Sequence, residues 1–218
     1  RALAAEGLCK RVYGGALPLQ AGDRPVSLRN TEAQGQKQVL AQAALALIAP
    51  GQTLFLDTGS TNLALAQALP DDMDLRIVTN SLPVAAALME RGDLWLYVIG
   101  GVVKPGVGGC VDAGAVAELQ NFRFDRAFLG ACALSSEDGL MGFDMEDLRF
   151  KRSLMARSSQ TAALLTTAKI GLRAPFRIGP LSAVSTYVME ADAPATLCEA
   201  LRAAGSELCL VNALGAAR

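Results

Sequence analysis

Residues 54–70 read LFLDTGSTNLALAQALP, bringing one acid, one glycine and three hydroxyls together between an apolar run and a helical pattern. Two chemistries fit those residue types. In the first, Asp57 is one of two carboxylates sharing a proton, the arrangement of Asp-Thr-Gly proteases, which needs two such motifs or a dimer around one. No second Asp-Thr/Ser-Gly copy occurs in the chain. Those proteases are also all-β, whereas a helical pattern begins here directly after the motif. In the second, Thr58, Gly59, Ser60 and Thr61 turn from a strand into a helix and hold an anion. Gly59 lets the backbone approach a ligand closely, and the first N–H groups of a helix are unpaired donors. The hydroxyls of Ser60 and Thr61 add donors, and the helix dipole favours negative charge there. A plainer role stands beside it, with Ser60 capping its helix and Gly59 only turning the chain. On the anion reading Asp57 is part of a pocket floor.

Three further strand ends carry polar or glycine residues. Thr79 and Asn80 end the next apolar run, ahead of a helix with Pro83 in its first turn. Gly100 and Gly101 end a third run, and Lys169 follows a fourth, where it could neutralise a bound anion. Each alone is an ordinary turn, cap or solvated residue. Together they carry weight only if the fold converges those ends on one crevice.

The elements that must do so follow from periodicity. Residues 32–48 repeat apolar positions every four residues (Val39, Ala43, Leu47; Leu40, Ala44, Ile48), an amphipathic helix ended by Pro50-Gly51. Beyond it, strands are predicted at 53–57, 75–79, 94–99, 124–129, 161–166, 184–189 and 207–211. Helices fall between them at 60–69, 82–91, 113–121, 145–159 and 193–204. Asp112 and Asp144 stand at N-cap positions, and Asp144 with Asp147 makes a weak capping box. The glycine-rich stretch 100–111 reads as a loop or small hairpin. Short, continuously apolar strands alternating with helices predict an α/β fold, a mainly parallel sheet with helices on both faces. Ligands in such folds sit beyond the carboxyl ends of the strands.

Composition narrows the function classes. The 218 residues are 51% hydrophobic but only 5% aromatic, so Ala, Leu and Val build the core, with surface left for an oligomer contact. There is no histidine, which removes Ser-His-Asp and Cys-His catalysis and every His-based metal site. No cofactor is indicated. Five scattered cysteines without C-x-x-C spacing point to free thiols and a cytoplasmic, reducing setting. No apolar run reaches the ~18–20 residues of a membrane span. The net charge of −1 does not suit a nucleic-acid surface. Residues 1–18 carry a net +2, with Arg1, Lys10 and Arg11 against Glu6, and the remainder −3.

An ordered series of segments then adds a resemblance. LIAPGQTLFLDTGSTNLALAQALP preceded by Lys37, then LRIVTNSLPVAAAL, VIGG, FDRAFLGA, EDGLMGFDMEDLRFKRSLM, AKIG and IGPLS resemble the effector-sensing domain of DeoR-type bacterial transcriptional repressors. The likeness runs from about residue 32 to 190. The opening AAEGLCKRVYGGA resembles the end of that family's winged helix-turn-helix. The resemblance implies a wing remnant over 1–18, a linker over 19–31 and a sensing domain over 32–218, with the recognition helix upstream. It implies the fold of ribose-5-phosphate isomerases and CoA transferases, used to bind a phosphorylated sugar or polyol and alter binding to operator DNA. It also implies self-association. By position, Asp57, Thr58, Gly59, Ser60 and Thr61 would hold one end of the effector, with Thr79, Asn80, Gly100, Gly101 and Lys169 lining the rest. Two residues depart from the family pattern, Thr58 in place of the usual Ser and Cys132 in place of an acid or Asn. A sugar-phosphate isomerase on the same fold is the alternative. It would need carboxylates placed to move a proton between carbons, for which Glu137, Asp138, Glu146 and Asp147 are the nearest acids.

Overall fold

The computed structural model describes residues 9–12, 15–18 and 26–212. Residues 1–8 of the expected wing remnant lie outside them. Cys9–Val12 (β1) and Gly15–Pro18 (β2) pair as an antiparallel hairpin, within the stretch expected as a wing remnant. Residues 19–25 of the expected linker fall outside the described residues, but its end is helical, Val26–Thr31 (α1). Ala33 then leads into Gln34–Ala44 (α2), where Leu40, Ala41 and Ala44 are buried, and a 3-10 turn over Leu45–Leu47 finishes the predicted amphipathic helix.

From there the chain alternates as its periodicity predicts. Thr53–Leu56 (β3) is followed by Ser60–Ala68 (α3), Arg76–Thr79 (β4), Leu82–Leu88 (α4) and Trp95–Val98 (β5). The 100–111 stretch is a small hairpin, Val103–Lys104 (β6) and Gly109–Cys110 (β7). Ala113–Glu118 (α5) leads to Phe124–Leu129 (β8), and two short strands follow, Ala133–Ser135 (β9) and Gly139–Gly142 (β10). Met145–Ala156 (α6) and Ser158–Leu165 (β11) come next, then Phe176–Gly179 (β12), Thr186–Glu190 (β13), Ala195–Ala203 (α7) and Glu207–Val211 (β14).

Seven of these strands form one sheet in the order β14-β13-β11-β8-β3-β4-β5, every neighbouring pair parallel. Side chains alternate across it. Phe55, Ala127, Leu129, Ala163 and Tyr187 face one core with Ala115 of α5, Phe150 of α6 and Leu201 of α7. Leu54, Leu56, Phe128, Leu164 and Val188 face the other, with Leu40 of α2, Leu65 of α3 and Val84 of α4. The sheet is thus covered by helices on both faces, as near-continuous apolar strands require.

The strand order reverses at β3. From there the chain proceeds outward through β4 and β5, then returns to β8 on the other side and continues through β11, β13 and β14. The gap between the carboxyl ends of β3 and β8 is therefore the switch point, where an open parallel sheet leaves a crevice. A second sheet, β12-β10-β9, is antiparallel and was absent from the sequence-based expectations.

Candidate functional site

The floor of the crevice is Asp57, which has no exposed surface. One carboxylate oxygen accepts the N–H of Thr58 at 2.7 Å, and the other accepts the N–H of Gly130 at 2.8 Å. Asp57 thereby ties the turn after β3 to the turn after β8. The two backbones meet so closely that a Cβ added at Gly130 would lie 1.9 Å from the Thr58 carbonyl oxygen. Asn62, on the first turn of α3, donates to the carbonyls of Asp57 at 3.0 Å and Phe128 at 2.9 Å and locks the same junction.

Beneath Asp57 lies a buried lysine between two buried acids. The Lys151 ammonium is 3.1 Å from Asp57 Oδ2 and also donates to Asp147, one helical turn back on α6. Burial works against its charge, but the two carboxylates overcome this and hold its pKa well above the ordinary lysine value. Asp147 shifts upward, because burial and the charge of Asp57 outweigh the pull of Lys151. Removing either sign alone would strand a charge in the interior.

Above the floor opens a cavity of about 540 Å³. Thr58, Gly59 and Ser60 form part of its lining, at the start of α3. Gly59 has φ 143° and ψ 144°, a backbone region suited to glycine, and no side chain caps the helix it begins. By contrast Ser81 caps α4, Asp112 caps α5 and Asp144 caps α6. Ser60 therefore is not the cap of its own helix, and the donors of the first turn of α3 face the cavity region uncapped. Four cations and three acids share the lining, Arg29, Lys37, Lys104 and Lys169 with Glu32, Asp144 and Asp147. Lys104, from the β6–β7 hairpin, pairs with Asp144 and Glu146 at 2.6 Å each. Lys169, half-buried, has no carboxylate partner among the described residues. Burial, with the nearby charges of Arg29, Lys37 and Lys151, lowers its pKa to about 8. Lys37, buried in α2, donates to the main-chain carbonyls of Arg29 and Glu32, and burial lowers its pKa too.

Of the residues singled out from the sequence, Thr58, Gly59, Ser60 and Lys169 thus meet at one cavity, with Asp57 immediately beneath. Cys132, Asp144 and Asp147 line it as well, whereas Thr61, Thr79, Asn80, Gly100, Gly101, Glu137, Asp138 and Glu146 lie outside its lining. Thr61 is buried in the first turn of α3, and its hydroxyl has no hydrogen-bond partner among the described residues. Thr79 is fully buried, donating to the Leu56 carbonyl at 2.6 Å and accepting the Ser81 N–H at 3.0 Å. Asn80, also fully buried, donates through its side-chain amide to the Cys110 carbonyl at 3.1 Å and accepts the Cys110 N–H on its main-chain carbonyl at 3.0 Å, while its Oδ1 has no partner among the described residues. The physical reason is the β6–β7 hairpin, which folds over the tip of β4. Gly101, with φ 136°, packs against the Asp112 carboxylate, and Gly100 is exposed beside the edge strand. Asp147 turns inward to Lys151 rather than completing a capping box, and Asp144 alone accepts the N–H groups of Glu146 and Asp147, at 2.9 and 3.0 Å. Glu137 and Asp138 are exposed in the β9–β10 turn.

Sequence reasoning left out Arg29, Lys104, Lys151 and Gly130. Lys151 had a readable signal: Asp147, Phe150, Lys151 and Leu154 share one buried helical stripe, so an oppositely charged pair at i, i+4 sits where only apolar residues belong. Lys37 interrupts the stripe of Ala41 and Ala44 in the same way. Arg29 had none, because its helix is shorter than any periodicity can mark.

Comparison with known proteins identifies the family. The family model for the DeoR C-terminal sensor domain matches residues 32–191. The glycerol-3-phosphate regulon repressor of Escherichia coli (strain K12) is 32% identical over 200 residues, covering 91% of this chain and 79% of its own. The repressor of the same name from Haemophilus influenzae is 32% identical over 211 residues, covering 96% of this chain and 82% of its own. Among solved structures, ribose 5-phosphate isomerase A from Methanocaldococcus jannaschii aligns with 62% of this chain and 53% of its own, at 16% identity and a TM-score of 0.46. The family match spans the floor, the α3 turn and Lys169 without a break, and the chain belongs to the DeoR family of transcriptional regulators, whose C-terminal sensor domain it carries.

Proposed function

We propose that the crevice binds a small phosphorylated sugar or polyol and that its occupancy alters operator binding by an N-terminal DNA-binding domain. The observation that carries this reading is the uncapped start of α3 at a cavity whose four cations outnumber its three acids, with Lys169 lacking a carboxylate partner among the described residues. A phosphate set at the Gly59–Ser60 start of α3 meets backbone N–H groups, the Ser60 hydroxyl and an ammonium. The apolar part of the lining, with Val107, Phe143 and Leu172, would accept a carbon skeleton. Two relatives named for a glycerol-3-phosphate regulon are compatible with an effector of this size and charge.

The site is a binder rather than an isomerase. Proton transfer between carbons needs a carboxylate free to reach the substrate. Asp57 is engaged by two N–H groups and Lys151, Asp147 by Lys151, and Asp144 by Lys104 and its helix. Self-association, placing two DNA-binding heads at a fixed spacing, completes the proposal for the longer protein.

A thermal-shift screen of this chain against phosphorylated sugars and polyols, their free counterparts and CoA esters tests it. A ligand of the native state raises the melting temperature with its concentration. A rise with one phosphorylated compound and none with its free form supports the reading. A response confined to CoA esters, or turnover of the hit, contradicts it.

A further inference from the structure

We propose that α1 is a strap across the cavity whose Arg29 supplies a second anion contact, so that ligand occupancy is passed to the segment preceding residue 26. This rests on the effector reading above and adds to it the group that reports binding.

Arg29 shares the cavity with the α3 turn and with Lys169. Its Nη2 donates to the Gly106 carbonyl in the β6–β7 hairpin at 2.7 Å. Its Nε is buried and has no hydrogen-bond acceptor among the described residues. A guanidinium with one donor satisfied by the hairpin and another buried without an acceptor is prepared for an anion oxygen. The charge of Arg29 also bears on Lys169, so two cations are held close together at the cavity.

Helix α1 packs against α3, the helix whose start faces the cavity. The carboxyl end of α1 is held by Lys37, which donates to the Arg29 and Glu32 carbonyls. It joins α2 through Ala33 at φ 50° and ψ 38°, a left-handed conformation that costs a non-glycine residue energy. The strap is therefore held by its packing on α3, a carbonyl contact from Arg29, the buried Lys37 ammonium and a strained joint. An anion that bridges Lys169 and the Arg29 Nε favours its closed position, and the chain toward the N-terminus moves with α1.

The test uses this chain with glycerol 3-phosphate and with inorganic phosphate as probes. Calorimetric titration of wild type, Arg29→Ala and Arg29→Lys is combined with hydrogen exchange over residues 26–33. The proposal predicts slower exchange there on binding, a loss of affinity of about tenfold or more in Arg29→Ala, and partial rescue in Arg29→Lys. Arg29→Lys also keeps the charge and stem, which guards against loss of the fold. A probe that binds wild type and Arg29→Ala equally, with exchange at 26–33 unchanged, overturns the strap and leaves the effector reading standing. If neither probe binds wild type at millimolar concentration, the effector reading falls and the strap with it.

Discussion

The carboxyl ends of β3 and β4 are adjacent in the sheet and look alike in sequence, yet their polar groups are differently engaged. Both end in a hydroxyl and small polar residues ahead of a helix, Thr58-Gly59-Ser60 after β3 and Thr79-Asn80-Ser81 after β4. At β4 most such groups are turned on the protein itself: Thr79 on Leu56 and Ser81, the Asn80 amide nitrogen on Cys110, Ser81 on its own helix, with only Asn80 Oδ1 buried without a partner among the described residues. At β3 the helix start is uncapped and faces a cavity, while Asp57 below holds the turn in place. Topology makes the difference. The chain leaves β3 in one direction and returns to β8 on the other side, so a crevice opens there, whereas the β6–β7 hairpin closes over β4.

The largest effect should come from removing the support under the β3 turn. Lys151→Met leaves Asp57 and Asp147 buried without their cation, and should cost about 3–5 kcal/mol of stability in urea unfolding. Because the damage lies in unpaired carboxylate charge, it should shrink as the pH is lowered toward the carboxylate range. Next comes a contrast between glycines. Gly130→Ala drives a methyl into the Thr58 carbonyl and should cost about 3 kcal/mol, the upper end for overpacking. Gly100→Ala has no atom within 4 Å of the new Cβ and should stay within about 0.5 kcal/mol of wild type. Asn80→Ala should be milder than Gly130→Ala, about 1–2 kcal/mol for a buried carbonyl left without its partner, with effector affinity unchanged. Equal loss of affinity in Asn80→Ala and Gly130→Ala would erase the contrast between the two tips.

The smallest effect is a pH dependence at Lys169. Its pKa stands near 8 against an ordinary 10.5, so between those values the unfolded chain binds more protons and the unliganded protein gains stability as pH rises. A bound phosphate stabilises the ammonium and raises its pKa, so binding takes up a proton. Affinity measured by calorimetry should therefore fall as pH rises past about 8, and Lys169→Met should remove that step.

The main sheet was legible because its strands are apolar runs and its helices keep a four-residue repeat, as in Val39, Ala43 and Leu47. The β3 turn was legible because Asp57, Gly59 and Ser60 are residue types that only a few local structures use. The remainder depends on contacts distant in sequence. Strands β9, β10 and β12 are three or four residues long and bounded by turns, so no periodicity marks them. Thr79 and Asn80 carried the same signal as Thr58, and only the hairpin over them distinguishes the two. Arg29 reaches the cavity from a six-residue helix in what read as linker. Lys37 and Lys151 were hidden by the expectation that lysines are solvated.

The central claim is that the β3–β8 crevice, and not the β4 or β5 tip, receives a phosphorylated ligand. The most direct measurement is an amide-resolved ¹H–¹⁵N titration of this chain with glycerol 3-phosphate, with free glycerol as control. The account predicts that the amides of Thr58 to Thr61 and Gly130 shift with the phosphorylated compound alone, while those of Asn80, Gly100 and Gly101 stay in place. Shifts centred on Asn80 and Gly100, with Thr58 to Thr61 unmoved, would contradict it.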